Sequence, residues 1–329
     1  MKKVVHILLI FNNLVKYYNQ IIFHTMHNLK ANYDKFFQLI TDFFSSDFLM
    51  EGCFTRYRHQ PKMSDASIIA LALSAEAIGI DSENYLWNKL KTEHQGDFPG
   101  LIDRSNFNRR KKRLAPFIRR INEKLSSRMN EGENVFIVDS IPVPVCHIAR
   151  EKRSKICREN FETSPDKGFS AITQSYYYGY KMHVVTSVNG VFYSMDISKA
   201  SIHDVHYLND IRHSNLNQCT LIADKGYLSA VHQLDLFTSC KIQLQTPQRT
   251  NQKSYKPFPF VFRKCRKRIE TLFSQLCDQL MLKRNYAKSF AGLATRLLSK
   301  ITAVTILQFF NSTHNKPLNH LKYALNFTN

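Results

Sequence analysis

Apolar and polar positions divide the chain into two regimes. Up to about residue 130 the spacing is helical. Tyr33–Phe48 (YDKFFQLITDFFSSDF) repeats apolar residues at three- and four-residue steps. Met63–Leu90 opens on Ser64-Asp65-Ala66-Ser67, an N-cap signal, and runs through IIALALSAEAIGI to a glycine that ends the apolar helix. Leu101–Asn130 continues as helix. From Glu133 the pattern changes. Val135-Phe136-Ile137-Val138 is a continuous apolar run and predicts a buried strand. Tyr176–Ser187 (YYYGYKMHVVTS) and Val191–Ile197 (VFYSMDI) are β-rich, and Asn189-Gly190 between them is a hairpin signal. His203–His213 has helical spacing. Cys219–Ala223 predicts a short strand, Leu228–Thr238 a helix and Lys241–Gln245 another strand. Beyond the Pro-containing loop Tyr255–Pro259, Phe262–Lys288 and Phe290–Phe310 predict two long helices. This order describes a mixed α/β domain behind a helical one.

Charge narrows the function. The 329 residues carry 46 Lys+Arg against 26 Asp+Glu, a formal net charge of +20, which points to a polyanionic partner, nucleic acid before membrane. Leu101–Asn130 concentrates that charge, with ten basic residues and two acidic ones. A 43% hydrophobic content excludes a disordered chain. Neither G-x-G-x-x-G nor a P-loop sequence occurs, so no nucleotide cofactor is expected. Seven scattered cysteines form no C-x-x-C pair and read as reduced thiols of a cytoplasmic protein. Met1–Phe11 (MKKVVHILLIF) imitates a signal peptide but lacks a small-residue cleavage site and is too short to span a bilayer. Residues 1–28 therefore read as a helical extension, and no membrane partner is expected.

Three acids stand out by position. Asp139 ends the first predicted strand in FIVDS, Asp224 ends a second in LIADKGY, and Glu270 lies within RKCRKRIETLF. Each alone reads as a turn former or helix cap. Together, at a sheet edge where side chains leave the core, three carboxylates would repel one another unless a hard divalent cation bridged them. The expected cofactor is Mg²⁺, with Mn²⁺ as a substitute, as two ions that promote in-line attack on a phosphodiester. In the helix around Glu270, Ile269, Phe273, Leu276 and Leu280 are spaced to pack on the sheet. Arg263 and Arg266 share the face of Glu270, either as ordinary intrahelical ion pairs or as clamps on phosphates flanking the cut site. Lys283, Arg284 and Lys288 extend this basic track, with Tyr286 interleaved.

Further residues are candidates for DNA contact. Arg109, Arg110, Lys111, Lys112 and Arg113 form a basic run on a predicted helix, either a solvated face or a DNA-binding one. Arg150 and Arg153 belong to REKRSKICR just after the first strand. Lys181 and His183 alternate on one face of the hairpin. His203-Asp204 reads as a helix cap in preference to a fourth group near the metal.

Several of these segments carry a family likeness. FIVDSIPVPVC, ASIHDV, IADKGY, RKRIETLFSQL and NYAKSFAGLATR, in this order, resemble DDE transposases of bacterial insertion sequences, above all the insertion-sequence nine-eight-two family. MSDASIIALALSAEAIGIDSENYLW and LIDRSNFNRRKKRL resemble that family's N-terminal region, so the likeness spans roughly residues 30–312. It implies an α/β fold: a ribonuclease H-like catalytic domain over residues 131–312, a mixed sheet flanked by helices. An all-helical DNA-binding region over 29–130 would precede it and a tail over 313–329 would follow. The family pattern puts its catalytic, metal-binding acids on Asp139, Asp224 and Glu270, 85 and 46 residues apart. It implies metal-dependent cleavage and strand transfer at the element's own terminal inverted repeats. Double-stranded DNA, as transposon ends and target, would be the partner, and a homo-oligomer would synapse the ends in the bacterial nucleoid. One departure stands: Arg263 and Cys277 occupy the positions of the family's tyrosine and lysine, leaving Lys283 or Arg284 as substitutes. Two other readings compete: a ribonuclease H-like nuclease without strand transfer, and a non-catalytic DNA-binding protein from a decayed element.

Overall fold

The structure, a computed structural model, describes residues 28–248 and 255–325. All but the last residue of the N-terminal extension, and the last four residues of the tail, lie outside the described residues.

Five helices come first: α1 (Leu29–Phe44), α2 (Asp65–Ala77), α3 (Glu83–Glu93), α4 (Arg104–Arg113) and α5 (Ala115–Met129). The first four start at side chains that accept the free N–H groups of the first turn, and α5 has a proline in its first turn instead. Asn28 Oδ1 accepts from Ala31, Ser64 Oγ from Ser67 and Asp103 Oδ1 from Asn106. Gly79, at φ +75°, carries the chain away from the end of α2.

The second regime is a six-stranded mixed sheet. Its strands are β1 (Val135–Cys146), β2 (Asp166–Ser170), β3 (Ser175–Ser187), β4 (Phe192–Lys199), β5 (Thr220–Ile222) and β6 (Gln243–Gln245). The order runs β2-β3-β1-β5-β6, with β4 beside β2 on the outer edge of β3. β3 lies antiparallel to β1 and β4, whereas β5 is parallel to β1 and β6. This mixed order is consistent with the ribonuclease H-like sheet implied by the family likeness. β1 is far longer than the apolar run that announces it, because Pro142 and Pro144 remain in strand opposite Lys181 and Gly179. Parallel pairing with β5 ends at Ile137, so beyond that point one edge of β1 has no ladder to break and tolerates residues without an N–H. The hairpin turns at Gly190, where φ is +86° and an added Cβ would meet Arg268 and Asn319.

Alternation along the strands sends apolar side chains to both faces. Phe136, Val138, Val185, Leu221 and Leu244 pack under α6 (Tyr207–Arg212) and α7 (Ala230–Cys240). Ile137, Val143, Met182, Val184 and Ile222 face the other way, joining Ile269, Leu272 and Leu276 of α8 (Phe260–Asp278). That second core continues without interruption into α1, α2 and α5 through α9 (Phe290–Thr313). A short α10 (Leu321–Leu325) closes the described chain.

One expectation changes. The helix predicted to reach Lys288 stops at Asp278, since Met281 turns left-handed at φ +52° and Leu280 and Leu282 are buried in the turn itself. Lys283, Arg284 and Lys288 therefore lie on the connection to α9, not on a helical track. Although no membrane partner is expected, α9 is long and apolar enough to cross a membrane by length and composition. Here it is largely buried within the protein.

A fully apolar environment for α9 would strand its charged groups. Glu76 of α2 resolves this by accepting from Arg296 Nε at 2.9 Å and from Lys300 Nζ, while Lys300 also donates to Leu280 O. Burial opposes ionisation of Glu76, but Lys300 and Arg296 outweigh it and hold the carboxyl below its usual range. Removing one partner of such a set leaves buried charge uncompensated. Glu76→Gln is expected to lower unfolding free energy by ~3 kcal/mol or more in urea titration; a loss below ~1 kcal/mol would show that the two cations do not depend on Glu76.

Candidate active site

Parallel strands β1 and β5 end their pairing at Ile137 and Ile222. The side chains that follow leave the core at the carboxyl edge, the usual ligand side of a parallel arrangement. Those side chains include Asp139 and Asp224. Asp139 Oδ1 accepts from the backbone N–H of Ser140 at 2.8 Å. Asp224 caps the tight turn Lys225–Tyr227 by accepting from Gly226. The Arg266 guanidinium of α8 reaches between the two, 3.8 Å from Asp139 Oδ2 and 3.6 Å from Asp224 Oδ2. Both separations exceed hydrogen-bond length, and Arg266 Nε, although buried, has no hydrogen-bond partner among the described residues. The guanidinium acts as a loosely seated counter-ion.

A third carboxylate belongs to this edge. Asp204 accepts from Ser140 Oγ at 3.0 Å and pairs with Lys181 Nζ at 3.1 Å. The cap of the turn at 204–206 is His203, whose side chain accepts from Val205, so the favoured reading of Asp204 as the cap gives way to a place in the acidic edge. Asp139 registers the crowding. Burial pushes its carboxyl up to about 7, against the opposing pull of the Ser140 N–H and Arg266, and Asp224 and Asp204 add repulsion.

Glu270 stands apart. It is exposed on α8, one turn beyond Arg266 on the same face, and its carboxylate has no hydrogen bond or ion pair among the described residues. No three His, Cys, Asp or Glu side chains among the described residues converge closely enough to hold a metal ion. The structure thus unites Asp139, Asp224 and Arg266 and leaves Glu270 outside. The donor set nevertheless suits a hard divalent cation: two aspartate oxygens face one loosely held positive group, and a cation there would offset the burial that keeps Asp139 from ionising.

The expected DNA-contact residues divide sharply. His183 is buried, with Nε2 on Ser198 Oγ at 2.8 Å and its ring stacked on Tyr207 at 4.5 Å. Burial drives its pKa down to about 4, so it is a neutral packing residue rather than a DNA-facing cation. Lys181 faces the acidic edge, donating to Ile202 O and Asp204. Within the basic run, Arg110 is buried on Asp65 at 2.8 Å and on Met63 O, and Lys111 is buried on Glu83. Neither is available to phosphate, because each neutralises an acid of the helical core. Arg113 lies over the Tyr57 ring at 5.1 Å, and Arg109 is exposed. Arg263 is exposed over Phe260 at 5.9 Å, Lys283 is exposed, and Arg284 lies 3.8 Å from Asp81. Arg150 and Arg153 line a cavity of about 840 Å³ at the far end of β1.

Sequence reasoning undervalues Asp204 and Ser140. Their meeting depends on the pairing of β1 with β3, which brings Ser140 opposite His183, and no local spacing carries that information.

The raised Asp139 pKa has a definite sign. Between its ordinary 3.8 and about 7 the folded chain holds more protons there than the unfolded chain, so stability falls as pH rises through that window. In metal-free melts, Asp139→Asn is expected to raise the melting temperature at pH 8, with the gain shrinking toward pH 4. Added Mg²⁺ is expected to stabilise the unmutated protein more at pH 8 than at pH 5.5. A variant less stable than the parent at pH 8 would contradict this electrostatic picture.

A family model described as "Transposase DDE domain" matches residues 130–306, more than half of the chain and all of the sheet. Comparison with curated proteins and with solved structures finds no match.

Proposed function

Because the chain belongs to the transposase DDE domain family, we propose that it acts on the terminal inverted repeats of its own insertion sequence, cleaving DNA there and joining the freed 3′-hydroxyl to a target. The observation that carries this reading is the pair of aspartates just beyond the parallel pairing of β1 with β5, sharing one cation, Arg266, inside the matched segment. Two carboxylates held around a positive charge are the electrostatic complement of a divalent-ion site.

In this reading Asp139, Asp224 and Glu270 hold Mg²⁺, or Mn²⁺ in its place, as two ions. The bound metal supplies Lewis acidity at the scissile phosphate and lowers the pKa of the attacking water or hydroxyl. Glu270 would join from α8, one turn beyond Arg266 on the same helix face. Arg266 then becomes free to hold a DNA phosphate, and Arg263 on the same helix extends that grip. Attack is direct, so no covalent protein–DNA intermediate is required.

End recognition falls to the helical region 29–130, through Arg109, Lys112 and Arg113 rather than the whole basic run. Synapsis of two ends calls for a homo-oligomer, and the cytoplasmic nucleoid is the setting. Within the wider transposase group, the motif likeness supports a place in the insertion-sequence nine-eight-two family.

The test is cleavage of a DNA fragment carrying the flanking repeats. Asp224→Asn and Glu270→Gln are expected to lose at least ~100-fold in Mg²⁺-dependent cleavage while binding the ends within a few-fold of the parent. Joint replacement of Arg109, Lys112 and Arg113 by alanine is expected to weaken binding and reduce the salt slope by ~0.9 for each phosphate that is no longer neutralised. Undiminished cleavage by Asp224→Asn would overturn the reading.

A further inference from the structure

At the end of β1 opposite to Val135 the sheet gives way to a cavity of about 840 Å³. Its floor is the strand end, Val145 and Cys146, with Ile156 beside it. One wall is the segment after β1, which presents Arg150, Arg153 and Lys155. The other is the connection before α9, which presents Asn285, Tyr286 and Lys288. The four cations face one hollow, and no acidic residue among the described residues lines it.

The walls are tied together. Cys157 N–H donates to Lys288 O at 2.8 Å, and the Phe290 N–H donates to Glu159. Arg158 donates to Tyr178 Oη and to Glu151 O, so this cation braces the segment after β1. The Tyr286 ring is 65% exposed and so presents a face to whatever enters. Asn285 adds a side-chain amide whose Nδ2 has no hydrogen-bond partner among the described residues.

Cations, an open aromatic face, an apolar floor and an amide donor are the components of a site for unpaired nucleotides. Size points the same way. The volume lies within the ~300–1,000 Å³ of small-ligand pockets, room for a nucleotide or two. We propose that this hollow binds an unpaired stretch of DNA strand, stacking a base on Tyr286 and holding the backbone with Arg150, Arg153, Lys155 and Lys288. β1 places it roughly 20 Å from Asp139, at ~3.3 Å per residue, on the same rigid strand. It is a second DNA site, separate from the carboxylate edge. Its role in handling a strand splayed from the cut end rests on the transposase reading, but the binding itself does not.

The experiment is fluorescence anisotropy with a fluorescein-labelled dT8 oligonucleotide and the full chain. Binding is expected, weakened ~10-fold by Tyr286→Ala and retained by Tyr286→Phe. Arg150→Ala with Arg153→Ala is expected to lower the salt slope by ~0.7 for each phosphate that is no longer neutralised. An unlabelled eight-base-pair duplex is expected to compete poorly. Absence of dT8 binding, indifference to Tyr286→Ala in a variant with parental melting temperature, or equal competition by the duplex would each overturn the proposal. A protein that cleaves no repeat ends but shows the Tyr286-dependent binding would lose the transposase reading and keep this site.

Discussion

The fold depends on burying α9 from all sides. Its 24 residues touch α2, α5, β4 and α10 and carry apolar side chains around almost the whole circumference. Such a helix needs every polar group answered from outside. Glu76 answers Arg296 and Lys300, Asn122 of α5 accepts from Thr305 at 2.7 Å, and Gln308 donates to Gly190 O in the β3–β4 turn at 2.7 Å. Three separate parts of the chain are thereby pinned to one axis. The helical region and the sheet consequently share a core rather than meeting as two independently packed bodies.

That rigidity sets the electrostatics of the carboxyl edge. β1 and β5 are fixed by α8 on one face and by α6 and α7 on the other, so Asp139 and Asp224 cannot relax apart. Repulsion is answered instead by a positive group inserted between them. In the protein alone that group is Arg266, at distances too long for hydrogen bonds. A counter-ion held so loosely is readily displaced by a smaller and more highly charged one, and burial, with smaller repulsion from Asp224, keeps the Asp139 carboxyl raised despite Arg266. Asp204, itself paired with Lys181, adds to that repulsion.

Much of this is legible in the sequence wherever the governing interaction is local. Ser64 caps α2, Asn189-Gly190 turns the hairpin, and Asp224 follows its short apolar strand, whereas Asp139 lies within β1, which runs on to Cys146, just past the end of its parallel pairing with β5. What stays hidden depends on distant partners. β2 (DKGFS) has no apolar alternation, and it exists because β3 extends beyond β4 and offers it an edge. Arg110 and Lys111 look like a solvated charge run until Asp65 and Glu83 arrive from 45 and 28 residues away. His183 looks like a hairpin cation until Tyr207 and Ser198 enclose it. The end of α8 is masked because Leu280 and Leu282 prolong an apolar pattern that the backbone has already left.

A divalent cation is expected to take the place that Arg266 fills between Asp139 and Asp224. Electron paramagnetic resonance of Mn²⁺ titrated into the protein without DNA tests it most directly, since bound and free Mn²⁺ are distinguished without any reaction. The account predicts saturable Mn²⁺ binding that disappears when Asp139 and Asp224 are both changed to asparagine and that survives Arg266→Ala. Mn²⁺ binding unchanged in the double asparagine variant would contradict it.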